Sequence, residues 1–264
     1  MKLKVLEDNN TFINWYYLGE PAVSYYIEDE GVKILFDVAY SDAYIKNAKL
    51  MGIDLSSVDK LVISHGHNDH TGGLPFILEL NKKLEIITHP LTFIDKFDEG
   101  EDIGSPVKEE VIKKQVKLTY SKEPLKIANN LIYLGEIPQI NDFEKRDVIG
   151  VAGEDNHPDD ILEDSAICYK GDKGLFIITG CSHSGICNIL EYAKKVCKDE
   201  RIYGVIDGFH LLAKDERLAK TIEYLKKENI PNLYPCHCIS LEAKIEMGKT
   251  LRINEVGVGL ELDI

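Results

Sequence analysis

The sequence predicts a layered α/β protein. Three observations carry this expectation. Apolar runs of strand length alternate with runs of helical spacing; polar, glycine-containing turns separate them; and six of the eight histidines stand within a few residues of the carboxyl end of an expected strand. Such strand ends are where sites collect in α/β folds. At 264 residues the chain can bury a large core, and its 44% apolar and 29% charged content excludes disordered and collagen-like classes.

The elements follow in chain order. Residues 22–27 and 32–37 are β-prone runs joined by the polar turn Glu28-Asp29-Glu30-Gly31, which reads as a hairpin. Residues 44–51 have helical character and stop at Gly52, a helix-ending residue. Residues 60–64 form a short strand leading straight into His65-Gly66-His67-Asn68-Asp69-His70-Thr71-Gly72-Gly73. The chain reads as one domain over residues 1–264. Within it, residues 90–153, with scattered glycine and proline, form an insertion or cap segment containing a helix over 107–116 and strands over 117–120 and 131–134.

From residue 166 the pattern is regular. A strand over 174–179 precedes Gly180-Cys181-Ser182-His183-Ser184-Gly185 and a helix with Ile186, Ile189, Leu190, Ala193 and Val196 on one face. A strand over 202–206 precedes Asp207-Gly208-Phe209-His210 and a helix carrying Leu218, Ile222 and Leu225. A strand over 232–234 precedes Pro235-Cys236-His237-Cys238, and the chain closes with a helix and a strand over 255–262.

The net charge of −14 argues against nucleic-acid partners, whose binding rests on lysine and arginine displacing counterions. It leaves an anionic small molecule open, because the field at a site is local. No apolar stretch is long enough for a membrane span, and residues 1–8 lack the apolar core of a signal peptide. With six cysteines confined to the last hundred residues, a soluble, reduced, cytoplasmic protein is expected.

The His65-x-His67-x-Asp69-His70 stretch packs four metal-ligand side chains into six residues. Four tetrahedral ligands for a single ion are hard to draw from so tight a turn, so the later histidines are needed to complete two sites. His89 and His157 lie in less regular segments and read as solvated loop residues. Cys236 and Cys238 flank His237 in what reads as an extended segment, which would aim both sulfurs away from the histidine and make them packing residues.

This motif resembles the signature of the metallo-β-lactamase-fold hydrolases, with Asp37 at the family's early supporting aspartate. The resemblance spans nearly the whole chain and implies a four-layer αββα sandwich. His67 stands where the di-iron, oxygen-reducing branch carries glutamate. A narrower likeness comes from Asn47-Ala48-Lys49, Leu134-Gly135-Glu136-Ile137-Pro138 with Phe143-Glu144, the Gly180–Gly185 turn, Gly208-Phe209-His210-Leu211 and Cys236-His237-Cys238. These are similar to the 7,8-dihydropterin-6-methyl-4-(β-D-ribofuranosyl)aminobenzene-5′-phosphate synthase-like group, whose namesake joins a dihydropterin pyrophosphate to an aminobenzene ribose phosphate and releases pyrophosphate. Departures are Val38-Ala39 in place of Thr-Gly, Gln139 in place of arginine and Asp207 in place of glycine.

By this resemblance His65, His67 and His183 form one metal's set, and Asp69, His70 and His237 the other's, for two divalent ions: zinc, with manganese, iron or nickel as alternatives. Asp69 and His210 are the implied catalytic residues. His210 is similar to the extra histidine of the ribonuclease Z branch; the other reading has it hold a ligand in place. Cys181 reads either as a soft ligand or, preferably, as a buried thiol, and Asp207 as a strand-end residue or helix cap. Ser182, Ser184 and Gly185 open a helix whose N–H groups could meet a phosphate, although ordinary capping is the simpler reading. The implied function is a di-metal enzyme acting on a phosphorylated small molecule, as a pyrophosphate-releasing transferase. The alternatives are a phosphodiesterase or other ester hydrolase, and a non-hydrolytic metal sensor or electron-transfer module.

Overall fold

The computed structural model describes residues 1–264, and its contacts divide into two compact units. The elements run in the order β1 (Lys2–Glu7), β2 (Ser24–Asp29), β3 (Val32–Phe36), α1 (Ala43–Leu50), β4 (Lys60–Val62), α2 (Asn68–Thr71), α3 (Leu74–Leu80), β5 (Glu85–Thr88), β6 (Lys96–Asp98), β7 (Glu101–Asp102), α4 (Glu109–Gln115), β8 (Lys117–Tyr120), β9 (Leu125–Lys126), β10 (Leu131–Tyr133), β11 (Val151–Ala152) and β12 (His157–Pro158). They continue with β13 (Ala166–Gly171), β14 (Gly174–Thr179), α5 (Ile186–Cys197), β15 (Ile202–Asp207), α6 (Glu216–Glu228), β16 (Asn232–Pro235), α7 (Leu241–Gly248) and β17 (Glu261–Asp263).

The first unit comprises Met1–Lys122, Val148–Glu163 and Gly257–Ile264. Its main sheet has the order β17-β1-β2-β3-β4-β5-β8, antiparallel up to β3 and parallel from β3 to β8. Leu35, Leu61 and Ile86 share a core with Tyr44 and Ala48 of α1, Leu74 and Ile77 of α3 and Ile112 of α4. Burying each such aliphatic side chain contributes about 1.5–3 kcal/mol. The alternate residues Tyr25, Ile34, Phe36 and Val62 are buried as well, so the strands read as apolar runs. A small second sheet, β12-β11-β6-β7, lies in this unit too.

The expectation missed β1, whose Lys2 and Lys4 alternate with buried Leu3 and Val5 in a run that looks charged when read linearly. The expected closing strand over 255–262 shrinks to β17. Gly259 takes φ +97, and Val258 makes only an isolated bridge to Thr11.

The second unit comprises Glu123–Asp147 and Asp164–Val256, with the sheet order β16-β15-β14-β13-β10-β9. β14, β15 and β16 are parallel, and β13 runs antiparallel to β14 with Ala166 opposite Thr179. Cys168, Leu175, Ile177, Val205 and Leu233 pack with Ile186, Ile189, Leu190 and Ala193 of α5, Leu218 and Leu225 of α6 and Met247 of α7. The helix and strand expectations hold here almost to the residue. Residues 90–153 are divided between the units, with 123–147 in the second and the remainder in the first.

Candidate metal centre

In the first unit the carboxyl ends of the parallel strands β3 and β4 deliver Asp37 and the 64–70 turn to one edge of the sheet, the position such topology favours for a site. Asp37 is fully buried at φ 55. Its Oδ1 accepts from Ser64 N at 2.8 Å; its Oδ2 accepts from Ser64 Oγ at 2.7 Å and from His70 Nδ1 at 2.7 Å. Because the one hydroxyl proton of Ser64 goes to Asp37, His65 Nδ1, 2.9 Å from Ser64 Oγ, must be the donor in that pair. Asp37 therefore fixes two tautomers. His65 and His70 each hold a proton on Nδ1, which leaves Nε2 as the nitrogen that can ligate a metal.

The donor atoms fall into pairs. His65 Nε2 lies 3.1 Å from His67 Nδ1, and His70 Nε2 lies 3.4 Å from Asp69 Oδ2. Two ligand atoms about 2.0–2.1 Å from one zinc ion at the tetrahedral angle would be roughly 3.3 Å apart. Both spacings fit a shared cation, and an imidazole and carboxylate donor set suits borderline divalent metals. Burial lowers His67 to about 4, which leaves it neutral and able to donate a lone pair. At His70 burial opposes the charge, but the Asp69 and Asp37 carboxylates outweigh it and raise the group well above its ordinary value, so a cation bound at Nε2 would displace a proton held there.

Close approach explains the glycines that follow. A Cβ on Gly73 would stand 2.0 Å from Val38 O, and the Gly73 carbonyl accepts from the buried Tyr44 hydroxyl at 3.1 Å.

In the second unit the ends of β14, β15 and β16 carry His183, His210 and His237. The turns after β14 and β15 are stitched together: Gly208 N donates to Gly180 O at 3.0 Å and Ser182 Oγ to Gly208 O at 2.5 Å. Asp164, fully buried before β13, accepts from Ser184 N at 2.9 Å and Ser184 Oγ at 2.6 Å, holding the segment that carries His183. The His183 and His210 rings are 4.4 Å apart, and Cys181 Sγ lies within 4.8 Å of a ring nitrogen of His237. His210 Nδ1 lies 4.0 Å from Asp147 Oδ2, and that oxygen accepts from Arg217 Nη1 at 3.0 Å. Burial, then the Arg217 charge, lowers the His210 pKa.

Ser182, Asp207, His210 and His237 all have positive φ, with Asp207 at 106. Strained backbone of this kind concentrates at functional sites.

Two expectations are corrected. His89 is fully buried after β5, with Nδ1 accepting from Leu91 N, whereas His157 is exposed as expected. Cys236 and Cys238 do not flank an extended residue, because His237 sits at φ 51. Cys236 Sγ instead lies 3.6 Å from Asp207 Oδ1 and Cys238 Sγ 3.3 Å from Cys181 O. Sequence reading also missed Ser64, Lys96, Asp147, Glu163, Asp164 and Arg217. Their partners lie far along the chain or look like ordinary surface charges.

The chain belongs to the metallo-beta-lactamase superfamily, whose family description matches residues 18–194. It is 33% identical over 263 residues, covering 92% of this chain and 89% of the relative, to 7,8-dihydropterin-6-methyl-4-(beta-D-ribofuranosyl)-aminobenzene-5'-phosphate synthase of Methanocaldococcus jannaschii. Among solved structures it is similar to Tm1679, a metal-dependent hydrolase of the beta-lactamase superfamily. That match has a TM-score of 0.85 and 25% identity, covering 100% of this chain and 99% of that one. A diphosphatase from the PhnP family aligns with a TM-score of 0.59 at 16% identity over 100% of this chain and 97% of that one, a likeness of fold. The mixed α/β architecture expected from the sequence is that of this superfamily, and no helix is long and apolar enough to cross a membrane.

Proposed function

We propose that the chain is a di-metal enzyme that acts on a phosphorylated small molecule by transfer with release of pyrophosphate. The observation that carries the reading is the double pairing in the 64–70 turn, at 3.1 and 3.4 Å, with two histidine tautomers fixed by one aspartate. Identity of 33% to a synthase whose named product carries a 5′-phosphate supports the substrate class. His65, His67 and His183 would hold one ion and Asp69, His70 and His237 the other, with zinc the first choice. Bound dications supply positive charge that stabilises a phosphoryl oxygen and a departing pyrophosphate.

The chain's own residues do the remainder. Asp37 and Ser64 keep His65 and His70 in the ligating tautomer. Asp69 presents a carboxylate oxygen that can accept a proton from a nucleophile. His210, neutral because its pKa is lowered, can accept or return a proton at a ring nitrogen. Such an enzyme would work in the cytoplasm on soluble anionic substrates.

A second reading, hydrolysis of a phosphate ester, draws on the 25% identity to a protein described as a metal-dependent hydrolase. One assay separates the two. The zinc-loaded chain is given a dihydropterin diphosphate with and without 4-(β-D-ribofuranosyl)aminobenzene 5′-phosphate, and pyrophosphate is measured. Release that requires the aminobenzene partner supports the transferase; release without it, or cleavage of bis(p-nitrophenyl) phosphate alone, supports the hydrolase. A metal-loaded chain inactive in both would overturn the enzymatic reading.

A further inference from the structure

Lys96, on β6, has no exposed surface. Its Nζ lies 2.5 Å from Asp159 Oδ2 and 2.8 Å from Glu163 Oε1, and both carboxylates are buried. A lysine so placed is retained in a core only with partners, and removing one member of a buried ion cluster leaves the others uncompensated.

The cluster reaches the ligand turn through Glu163, and the main chain of Lys96 reaches it separately. Glu163 Oε1 accepts from Gly66 N at 3.3 Å. Lys96 O accepts from Ile103 N at 3.0 Å, while Ile103 O accepts from Asn68 N at 2.8 Å. Asn68 Nδ2 also donates to Asp102 O at 3.2 Å. In His65-Gly66-His67-Asn68-Asp69, then, it is the two interleaved residues without a proposed metal-binding role that bond to this framework. There is no slack at Gly66, where a Cβ would stand 2.3 Å from Thr92 O and 2.8 Å from Lys96 Cε.

We propose that Glu163, held in place by Lys96, is a positioning residue for the ligand turn: its carboxylate on Gly66 N–H sets the spacing of His65 and His67, and with it the metal affinity. The proposal rests on the metal reading above. Asp159 completes the arrangement by accepting from Ile161 N at 2.9 Å, which anchors the approach to Glu163.

The test compares two neutral replacements of Glu163. Glu163→Gln keeps an oxygen acceptor for Gly66 N–H and Glu163→Met removes it at similar size. Zn²⁺ affinity is read by competition with a chromophoric chelator, and folding of the metal-free chain by circular dichroism. Glu163→Gln is expected within about threefold of the wild type and Glu163→Met to lose about tenfold or more, the range for groups that orient ligands. Equal affinity of Glu163→Met and the wild type overturns the proposal alone; no Zn²⁺ binding by the wild type overturns the metal reading and the proposal together. Should Glu163→Met fail to fold, amide exchange in the wild type decides. Protected Gly66 and Asn68 amides support the framework, and exchange at open-chain rates contradicts it.

Discussion

Asp37 and His70, 33 residues apart, meet in a 2.7 Å hydrogen bond with no exposed surface on either side chain. The carboxylate accepts a hydrogen bond from Nδ1 and so leaves Nε2, beside Asp69, as the nitrogen that can bind a cation; one residue at the end of β3 thus decides which nitrogen of a histidine after β4 can ligate. Asp37→Asn, which can offer a donor where an acceptor is needed, is expected to weaken metal binding by about 10- to 100-fold while the chain still folds. A chelator competition titration reads the effect, and unchanged affinity would contradict the role given to Asp37.

Ser64 makes the same argument for His65. Ser64→Ala removes the oxygen that accepts from His65 Nδ1 and one of the two hydrogen bonds that bring Ser64 to Asp37. The expected result is a roughly tenfold or greater loss of affinity with little change in secondary structure, checked by titration alongside circular dichroism.

Helix α5 has Gly185 at its N-cap and so no capping side chain of its own; Glu144 supplies the cap from a distant loop. Its carboxylate accepts from Cys187 N and Asn188 N, each at 3.0 Å. Glu144→Ala is expected to lower stability by about 1–2 kcal/mol in urea unfolding, as loss of a helix cap does, with Glu144→Gln losing less.

Glu7 gives a pH signature in the first unit. Burial, reinforced by Glu20, raises its carboxyl from 4.5 to about 8. The folded chain thus holds this proton more tightly than the unfolded chain. The contribution is full below about pH 4.5 and is lost as pH rises through about 8. Thermal midpoints measured from pH 5 to 8.5 are expected to fall more steeply in the wild type than in Glu7→Gln. Parallel curves would contradict the shift.

Much of the second unit was legible because its signals are local. The apolar run of β14 and the helical spacing of Ile186, Ile189, Leu190 and Ala193 lie within single elements, and the strand-end histidines follow them directly. The His65–His70 cluster was legible for the same reason, since its candidate ligands are crowded into one turn. Lys96, Asp159 and Glu163 were not. A lysine and two acidic residues separated by more than sixty positions look like surface charges until the chain folds them into one buried cluster. His89 was misread because burial after β5 comes from tertiary packing rather than from its neighbours in sequence. The conformation of His237 at φ 51 likewise has no local signal, since neither neighbour is glycine or proline.

The central claim is that this chain holds two divalent ions. Elemental analysis of protein saturated with Zn²⁺ and freed of excess metal tests it most directly, beside His67→Ala and His183→Ala prepared in the same way. The account predicts two ions per wild-type chain and a loss of bound metal in each variant. One ion or fewer in the wild type, or full occupancy in both variants, would contradict it.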